Sequence, residues 1–436
     1  MFTAGPVASK PVSEPDSEPV PEPTSEPVVE PAGGSATRPA GPAAATARTL
    51  AGPRLRITTA LRRALPALTV FAVARLAGIA VVTLWTHRRG QHPRNVLGLS
   101  WDALWYHRIA DWGYGTFIPS WYGPGLRYSD LAFFPLYPMT VRAVDDVLPV
   151  GSVAGALLIA WVSAALAAWG VFAVVDHCYG RRTATALVLI WGLLPHAIVL
   201  SMAYTEPMMC ALAAWALYAT MTRRWLTAGV LSALAGLCRP NGIAVAAAVG
   251  VSVLADAWHR KRAGLPQQPR AWLAALIAPL GWCSYVGWVG WQSDGGPRGI
   301  LHGYFDVQHR WGSDYDFGRY ALRYVKHLAL HPDSLTAYLS VALCAAALIL
   351  LVMALLDRMP LPLLVYSAVL VAIALGGANF FSCKPRFLLP AFPLLLPFAA
   401  ALAKARPRAA ALAVTTLAGF SLGYGAYVLT LVRAPL

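Results

Sequence analysis

The sequence predicts an all-α polytopic membrane protein, and three observations lead there. The 436 residues are 57% hydrophobic and only 13% charged, with a mean hydropathy of +0.54; soluble globular domains do not have this composition. Apolar runs recur at the length that crosses a bilayer, about 20 residues. Those runs are continuous rather than alternating, which excludes a β-barrel. The net charge of +15 does not signal nucleic acid, because the basic residues fall in short connectors between apolar runs, as the positive-inside bias requires. The six cysteines are scattered, with no CxxC or metal-ligand spacing, so neither a disulfide framework nor a zinc site is indicated. Arginine outnumbers lysine and alanine is abundant, which hints at a GC-rich bacterial genome; for a multi-pass protein of such a source the plasma membrane is the expected location.

Residues 1–53 repeat Glu-Pro and Ser-Glu-Pro before giving way to Ala, Gly and Thr. Proline removes backbone donors, the charges repel and little can be buried, so a disordered cytoplasmic tail is expected. The positive-then-apolar layout of a signal peptide is missing. Arg54, Arg56, Arg62 and Arg63 precede the first span, Leu65–Thr86, and should hold the N-terminus in the cytoplasm. Arg75 lies near the middle of that span, where a charge costs about 2.5–3.5 kcal/mol. It must face the bundle and find a carboxylate or carbonyls, either as a structural pair or as part of a substrate path.

The remaining spans read as Gly151–Val175, Ala184–Ala203, Pro207–Thr222, Leu226–Cys238, Gly242–Ala257, Ala271–Gln292, Ala337–Leu356, Leu361–Phe380, Phe387–Ala403 and Ala409–Val432. That makes about 10–12 helices in a single domain over 54–436. Prolines inside the spans are tolerable where neighbouring helices satisfy freed backbone groups. The alternating connectors 181–182, 223–224, 259–262, 357–358 and 404–408 are all basic and are assigned to the inside. The external set is the first loop (87–150), 204–206, 239–241, the long loop 293–336, and 382–386. Arg88, Arg89 and Arg94 run against this scheme, and the regularity elsewhere outweighs them.

Within the first loop, Ser100–Pro138 interleaves Trp, Tyr and His with Asp102, Asp111 and Asp130. Read as a helix, Trp101, Trp105, Ile109 and Trp112 form an aromatic stripe with Asp102 at its water-facing edge. Trp and Tyr prefer the headgroup level. The segment therefore reads as a surface helix holding a carboxylate just above the lipid, either as chemistry or as a plain interfacial anchor; His107 sits on the same helix.

The other unusual polar residues also sit in external connectors. Glu206 starts a span, where it could simply complement a helix N-terminus. Arg239 and Asn241 lie in CRPNG, and Lys384 and Arg386 in KPR; the arginines could be interfacial snorkelers. Ionisable residues converging at one face tend instead to mark a site. One carboxylate facing basic clusters suits transfer from a lipid-phosphate sugar. The phosphate leaves readily, so a base for the acceptor hydroxyl and cations for the leaving group suffice, whereas glycoside hydrolysis also needs an acid. Asp102 suits the base, and Arg239, Lys384 and Arg386 suit the phosphate. No P-loop or GxGxxG stands out, as expected for a lipid donor with no soluble nucleotide site.

These residues resemble the PIG-V family, the GPI mannosyltransferase II enzymes within the multi-spanning GT-C glycosyltransferases, in a form of the actinobacterial type. The similar segments are Trp101-Asp102, Ile109-Ala110 with Gly113-Tyr114, Ala132-Phe133-Phe134-Pro135-Leu136-Tyr137-Pro138, Ala203-Tyr204-Thr205-Glu206-Pro207, Arg239-Pro240-Asn241-Gly242 and Pro385-Arg386-Phe387. The resemblance implies a GT-C-like bundle and an inverting mannosyltransferase using polyprenyl- or dolichyl-phosphate mannose at the extracytoplasmic face. It implies that Asp102 is catalytic, and it places Asp130 where family members often carry Glu. Trp101, His107, Asp130, Glu206, Arg239, Asn241, Lys384 and Arg386 are the candidate substrate contacts. The expected partners are membrane lipid, the lipid donor and a glycolipid or glycan acceptor, with no nucleic acid. No cofactor is assigned beyond the lipid-phosphate sugar donor as co-substrate, and a divalent metal stays open. The alternatives are a flippase of lipid-linked sugars and a GT-C enzyme for another hexose.

Overall fold

The computed structural model describes residues 53–119, 127–294, 299–300 and 302–432. The expected tail lies outside these residues except for Pro53, as do the Gly/Pro/Tyr-rich turn at 120–126 and part of the long loop. The described residues from Ile57 onward form one compact unit. The helices are α1 (Pro53–Arg88), α2 (Pro93–Gly98), α3 (Asp102–Trp112), α4 (Leu136–Val147), α5 (Ser152–Tyr179), α6 (Arg181–Gly192), α7 (Glu206–Met221), α8 (Trp225–Cys238) and α9 (Ile243–Arg262). They continue with α10 (Pro269–Ile277), α11 (Leu280–Asp294), α12 (Gly303–Arg310), α13 (Arg319–Leu330), α14 (Leu335–Leu356), α15 (Leu361–Gly376), α16 (Lys384–Leu388), α17 (Leu396–Lys404) and α18 (Pro407–Thr430). A short antiparallel ribbon, β1 (Phe117–Pro119) with β2 (Arg127–Ser129), interrupts the first loop, with Phe117 opposite Ser129.

The chain is a multi-pass helical membrane protein. Among the described residues, six helical segments are long and apolar enough to cross a bilayer, and a seventh counts if Phe381–Leu388 and Phe392–Lys404, bent by 80°, form one broken span. Each apolar run in the sequence has a helical counterpart, but several are short. Helices α7, α8 and α15, at 16, 14 and 16 residues, reach about 21–24 Å at 1.5 Å per residue, less than the hydrocarbon thickness of about 30 Å. The runs drawn as Ala184–Ala203 and Phe387–Ala403 are broken: α6 stops at Gly192 before a 3₁₀ turn at Ala197–Ser201, and α16 stops at Leu388 before another at Phe392–Leu395. Pro195, Pro390 and Pro393 lie in or beside those breaks, each lacking the N–H that continues a helix.

Close packing of small residues holds the bundle. Helices α5 and α7 run against each other, and a Cβ built on Gly170 would meet Ala214 at 2.9 Å. Small side chains let membrane helices approach where burial in lipid gives no driving force. Arg75 is buried and donates Nη1 to the carbonyl of Ala197 and Nη2 to that of Gly192. Of the two partners expected from the sequence, carbonyls rather than a carboxylate receive it. The break after α6 leaves the C-terminal carbonyl of Gly192 without an intrahelical donor, and the guanidinium supplies one in an apolar interior while also donating to the first carbonyl of the 3₁₀ turn.

Ion pairs sort the connectors by end. Arg63 pairs with Asp176 (2.6 Å), while Arg223 and Arg260 both pair with Asp256 (3.0 Å each). These contacts join connectors of the basic set that the sequence assigns to the inside. The connectors of the other set meet one another at the site described next.

Candidate functional site

The first-loop helix α3 is held inside the protein rather than along the lipid. Trp105 stacks on Phe133 (5.5 Å between centroids) and meets Trp311 edge-on (5.1 Å), and Ile109 is fully buried. Of the stripe expected to face the headgroups, only Trp112 is exposed. The correction has a physical cause: Trp311 arrives from the long loop two hundred residues on and takes the aromatic face for itself. Its Nε1 also donates to the carbonyl of Ser129 (2.9 Å). Trp101, just before the helix, packs on the core with φ +51° and ψ −115°. That region favours glycine, and a side chain there costs about 1–3 kcal/mol. The strain places Asp102 as the first residue of α3, where a carboxylate also meets the positive end of the helix.

Asp102 Oδ2 lies 2.7 Å from Arg386 Nη1. Arg386 Nε lies 3.3 Å from Glu206 Oε1, and the same oxygen is 2.5 Å from Arg239 Nη1. Two carboxylates and two guanidiniums from four separate stretches thus balance in charge. Glu206 is 1% exposed, and the side chain of Asp102 keeps 25%. An isolated buried charge would be untenable, whereas a closed set of opposite charges can persist. Glu206 both opens α7 and serves as the shared counterion, so the helix-terminus reading and the site reading hold together.

The arginines are steadied further by rings and hydroxyls. The Arg386 guanidinium lies 5.2 Å from the Tyr204 ring and 4.9 Å from that of Phe387, and Arg239 lies 5.7 Å from Phe387, within cation–π range. Arg239 Nη1 donates to Thr205 Oγ1 (2.9 Å), which is 3.2 Å from the Tyr106 hydroxyl. Tyr106 sits one turn beyond Asp102 on the same face of α3; burial pushes its phenol pKa above the usual value. Gly242 lets the RPNG turn form: a Cβ there would stand 2.2 Å from the carbonyl oxygen of Ala235. Tyr106 was not singled out from the sequence, and Tyr204 and Thr205 entered only as members of a resembling segment, with no role. Thr205 precedes a helix and would be read as an N-cap, yet its hydroxyl makes no capping bond and is used by Arg239 instead.

The other candidates are placed differently. Asn241 is buried beside Arg239, with Nδ2 finding no protein partner among the described residues. Lys384 is buried and gives its ammonium to the carbonyls of Ala374 (2.7 Å) and Gly377 (2.6 Å), closing the end of α15. It lies two residues from Arg386, so the two side chains leave opposite sides of α16. His107 is about 140° around α3 from Asp102 and binds Ser152 Oγ through Nδ1 (2.6 Å), with Asp111 at 3.4 Å. Asp130 is fully buried and accepts the backbone N–H groups of Gly115 (2.8 Å) and Thr116 (2.7 Å). Burial pushes its pKa above the usual carboxylate value against the pull of those donors. Asp130 therefore fixes the first loop where it enters the ribbon, away from the arginines. Among the described residues, no group of three or more His, Cys, Asp or Glu could hold a metal ion.

An apolar cavity of about 670 Å³ lies between α14, the bent α16–α17 pair and α18. Leu343, Leu350, Phe392 and Leu417 line it, together with His196 and Pro385, the residue before Arg386. The wall between α16 and α17 is where the chain bends, and it brings Pro385, next to Arg386 in sequence, to the cavity.

No protein-family model and no curated protein matches the chain. Among solved structures it is similar to the oligosaccharyltransferase of Archaeoglobus fulgidus in complex with zinc and sulfate, at 15% identity and a TM-score of 0.47, over 82% of this chain and 53% of that one. It is similar to ArnT from Cupriavidus metallidurans bound to undecaprenyl phosphate, at 16% identity and 0.48, over 78% and 60%. It is also similar to the archaeal oligosaccharyltransferase AglB from Archaeoglobus fulgidus in complex with an inhibitory peptide and a dolichol-phosphate, at 14% identity and 0.44, over 85% and 56%. The chain spans between 53% and 60% of the length of these structures. At this level of likeness, the activity has to be read from the residues of the chain itself.

Proposed function

We propose that this protein is an inverting, GT-C-type membrane glycosyltransferase that moves mannose from a polyprenyl or dolichyl phosphate to a lipid or glycan hydroxyl on the extracytoplasmic face. One observation carries the reading: a partly exposed carboxylate, Asp102, touches a guanidinium, Arg386, whose neighbour Pro385 lines a large apolar cavity. A lipid phosphate needs those three surroundings at once. The prenyl chain takes the apolar cavity, the phosphate replaces carboxylate contacts at Arg386 and Arg239, and the sugar lies toward Asp102. Asp102 then takes the proton of the acceptor hydroxyl as its oxygen attacks the anomeric carbon. The bond from that carbon to the phosphate oxygen breaks, and the electron pair leaves with the prenyl phosphate between the arginines. A positioned base contributes about 10²–10⁴-fold, and fixed charge at the leaving group is a comparable term.

Mannose and a bacterial mannolipid, lipoglycan or wall-glycan acceptor rest on the resemblance of the WD, AFFPLYP, RPNG and PRF segments. The orientation rests on the basic connectors, which lie at the end away from the site. The rival reading, a flippase of lipid-linked sugars, would put Arg75 on a substrate path, but its guanidinium is engaged by two carbonyls at a helix break. The test is transfer from labelled polyprenyl-phosphate mannose in membranes carrying the parent or Asp102→Asn at equal expression. Transfer should fall by about 10²–10⁴-fold; unchanged transfer removes Asp102 from the mechanism.

A further inference from the structure

Helix α13, RYALRYVKHLAL, carries Arg319, Arg323 and Lys326 and no acidic residue. On a helical projection these cations share one flank with His327, while Leu322, Val325, Leu328 and Ala329 take the other. Part of the apolar flank is used inside the protein. Leu328 is buried, and Tyr324 next to it stacks on Phe381 at 4.4 Å and 9°, three residues before Lys384. The rest is bare: Leu322 is 74% exposed, Val325 41%, and Phe317 just before the helix 84%. Four residues after the helix, the span α14 begins with Leu335 and Tyr338 exposed as well. The bare flank of α13 is thus followed, after four residues, by a membrane span whose own start is apolar and exposed, and the cations stand beside that flank. Arg323 stays largely exposed despite a long contact with Asp316 at 3.8 Å.

We propose that α13 is a docking surface for anionic phospholipid, its bare flank in the acyl boundary and Arg319, Arg323 and Lys326 on the headgroups. Apolar exposure beside cations of which only Arg323 has an acidic contact is the pattern of a helix lying in the plane of an anionic leaflet. A neutral apolar partner would leave Arg319 and Lys326 unmatched, and an acidic soluble partner would leave Leu322 and Phe317 in water. Each basic residue near such a surface favours anionic over neutral lipid by about five-fold.

The test uses the full chain with the exposed Cys178 and Cys283 replaced by Ser and Leu322→Cys labelled with bimane. It is reconstituted in phosphatidylcholine vesicles with a minority of phosphatidylglycerol, using brominated acyl chains on one lipid or the other. Quenching should be stronger from brominated phosphatidylglycerol, and Arg319→Gln, Arg323→Gln and Lys326→Gln should each lower that preference by up to about five-fold. A second label at Ile349, exposed on α14, should quench alike in every variant, showing that insertion is intact. Three results overturn the proposal: a label at 322 reached by aqueous iodide but not by lipid, energy transfer between protomers with neither quencher effective, or quenching without lipid preference. No arm uses turnover, so the outcome stands apart from the proposed transferase activity.

Discussion

Replacing Glu206 by Gln keeps the shape of the site and removes the one negative charge shared by Arg239 and Arg386. Glu206 is 1% exposed, with one carboxylate oxygen 2.5 Å from Arg239 and 3.3 Å from Arg386. After the change, two buried guanidiniums have only Asp102 to balance them. Removing one partner of a buried pair costs about 3–5 kcal/mol, which at about 2 °C per kcal/mol for a large chain is a drop of roughly 6–10 °C in Tm. The assay is built into the protein: Cys210, Cys238, Cys344 and Cys383 are buried, so a thiol-reactive fluorophore reports unfolding in detergent. Glu206→Gln with Arg239→Gln restores neutrality and should recover part of the loss, with a coupling of about 0.5–3 kcal/mol. An unchanged Tm in Glu206→Gln, or strictly additive losses in the pair, would refute the shared-counterion reasoning.

Three further outcomes follow from the same geometry. Arg75→Met leaves the carbonyl of Gly192 without its donor, at about 1–3 kcal/mol, and should lower the same melting midpoint, with Arg75→Lys recovering part; equal midpoints would mean the carbonyl finds another partner. Gly242→Ala drives a Cβ to 2.2 Å from the Ala235 carbonyl and should cost about 1–3 kcal/mol and weaken transfer by displacing Arg239, whereas Gly250→Ala, where a Cβ meets nothing within 4 Å, should do neither. Asp130 holds its proton to a higher pH folded than unfolded, because burial outweighs the Thr116 and Gly115 donors. The native state therefore binds more protons as pH falls into the carboxylate range, and the parent loses stability as pH rises through its raised value. The midpoint of Asp130→Asn, which lacks this titration, should gain on the parent as pH rises; a constant difference would show that Asp130 does not titrate there.

Much of the architecture was legible because bilayer physics writes it into composition. Eleven apolar runs became helical regions, and the external connectors of Asp102, Glu206, Arg239 and Arg386 met at one place. That Arg75 had to find partners inside the bundle followed from its depth alone. Direction within a connector was not legible. Lys384 and Arg386 are equally basic and two residues apart, yet one closes a helix end and the other faces Asp102, and only the bend between α16 and α17 decides which. His107 and Asp102 share α3 but leave different sides of it. The tryptophan stripe was correctly found and wrongly aimed, because its partner Trp311 is remote in sequence and no periodicity announces a distant packing surface. The breaks after Gly192 and Leu388 were hidden for a related reason: hydropathy stays high across Pro195 and Pro390, so composition records a span where the backbone turns.

The most direct measurement is a structure of the full chain bound to a polyprenyl-phosphate. Its phosphorus is expected within about 4–5 Å of the Arg386 guanidinium carbon, the distance of a charge-assisted contact, with prenyl carbons along Leu343, Phe392 and Leu417 and Asp102 released from Arg386. A phosphate bound away from Arg386 and Arg239, or a cavity occupied while Asp102 stays closed on Arg386, would contradict the proposed transfer.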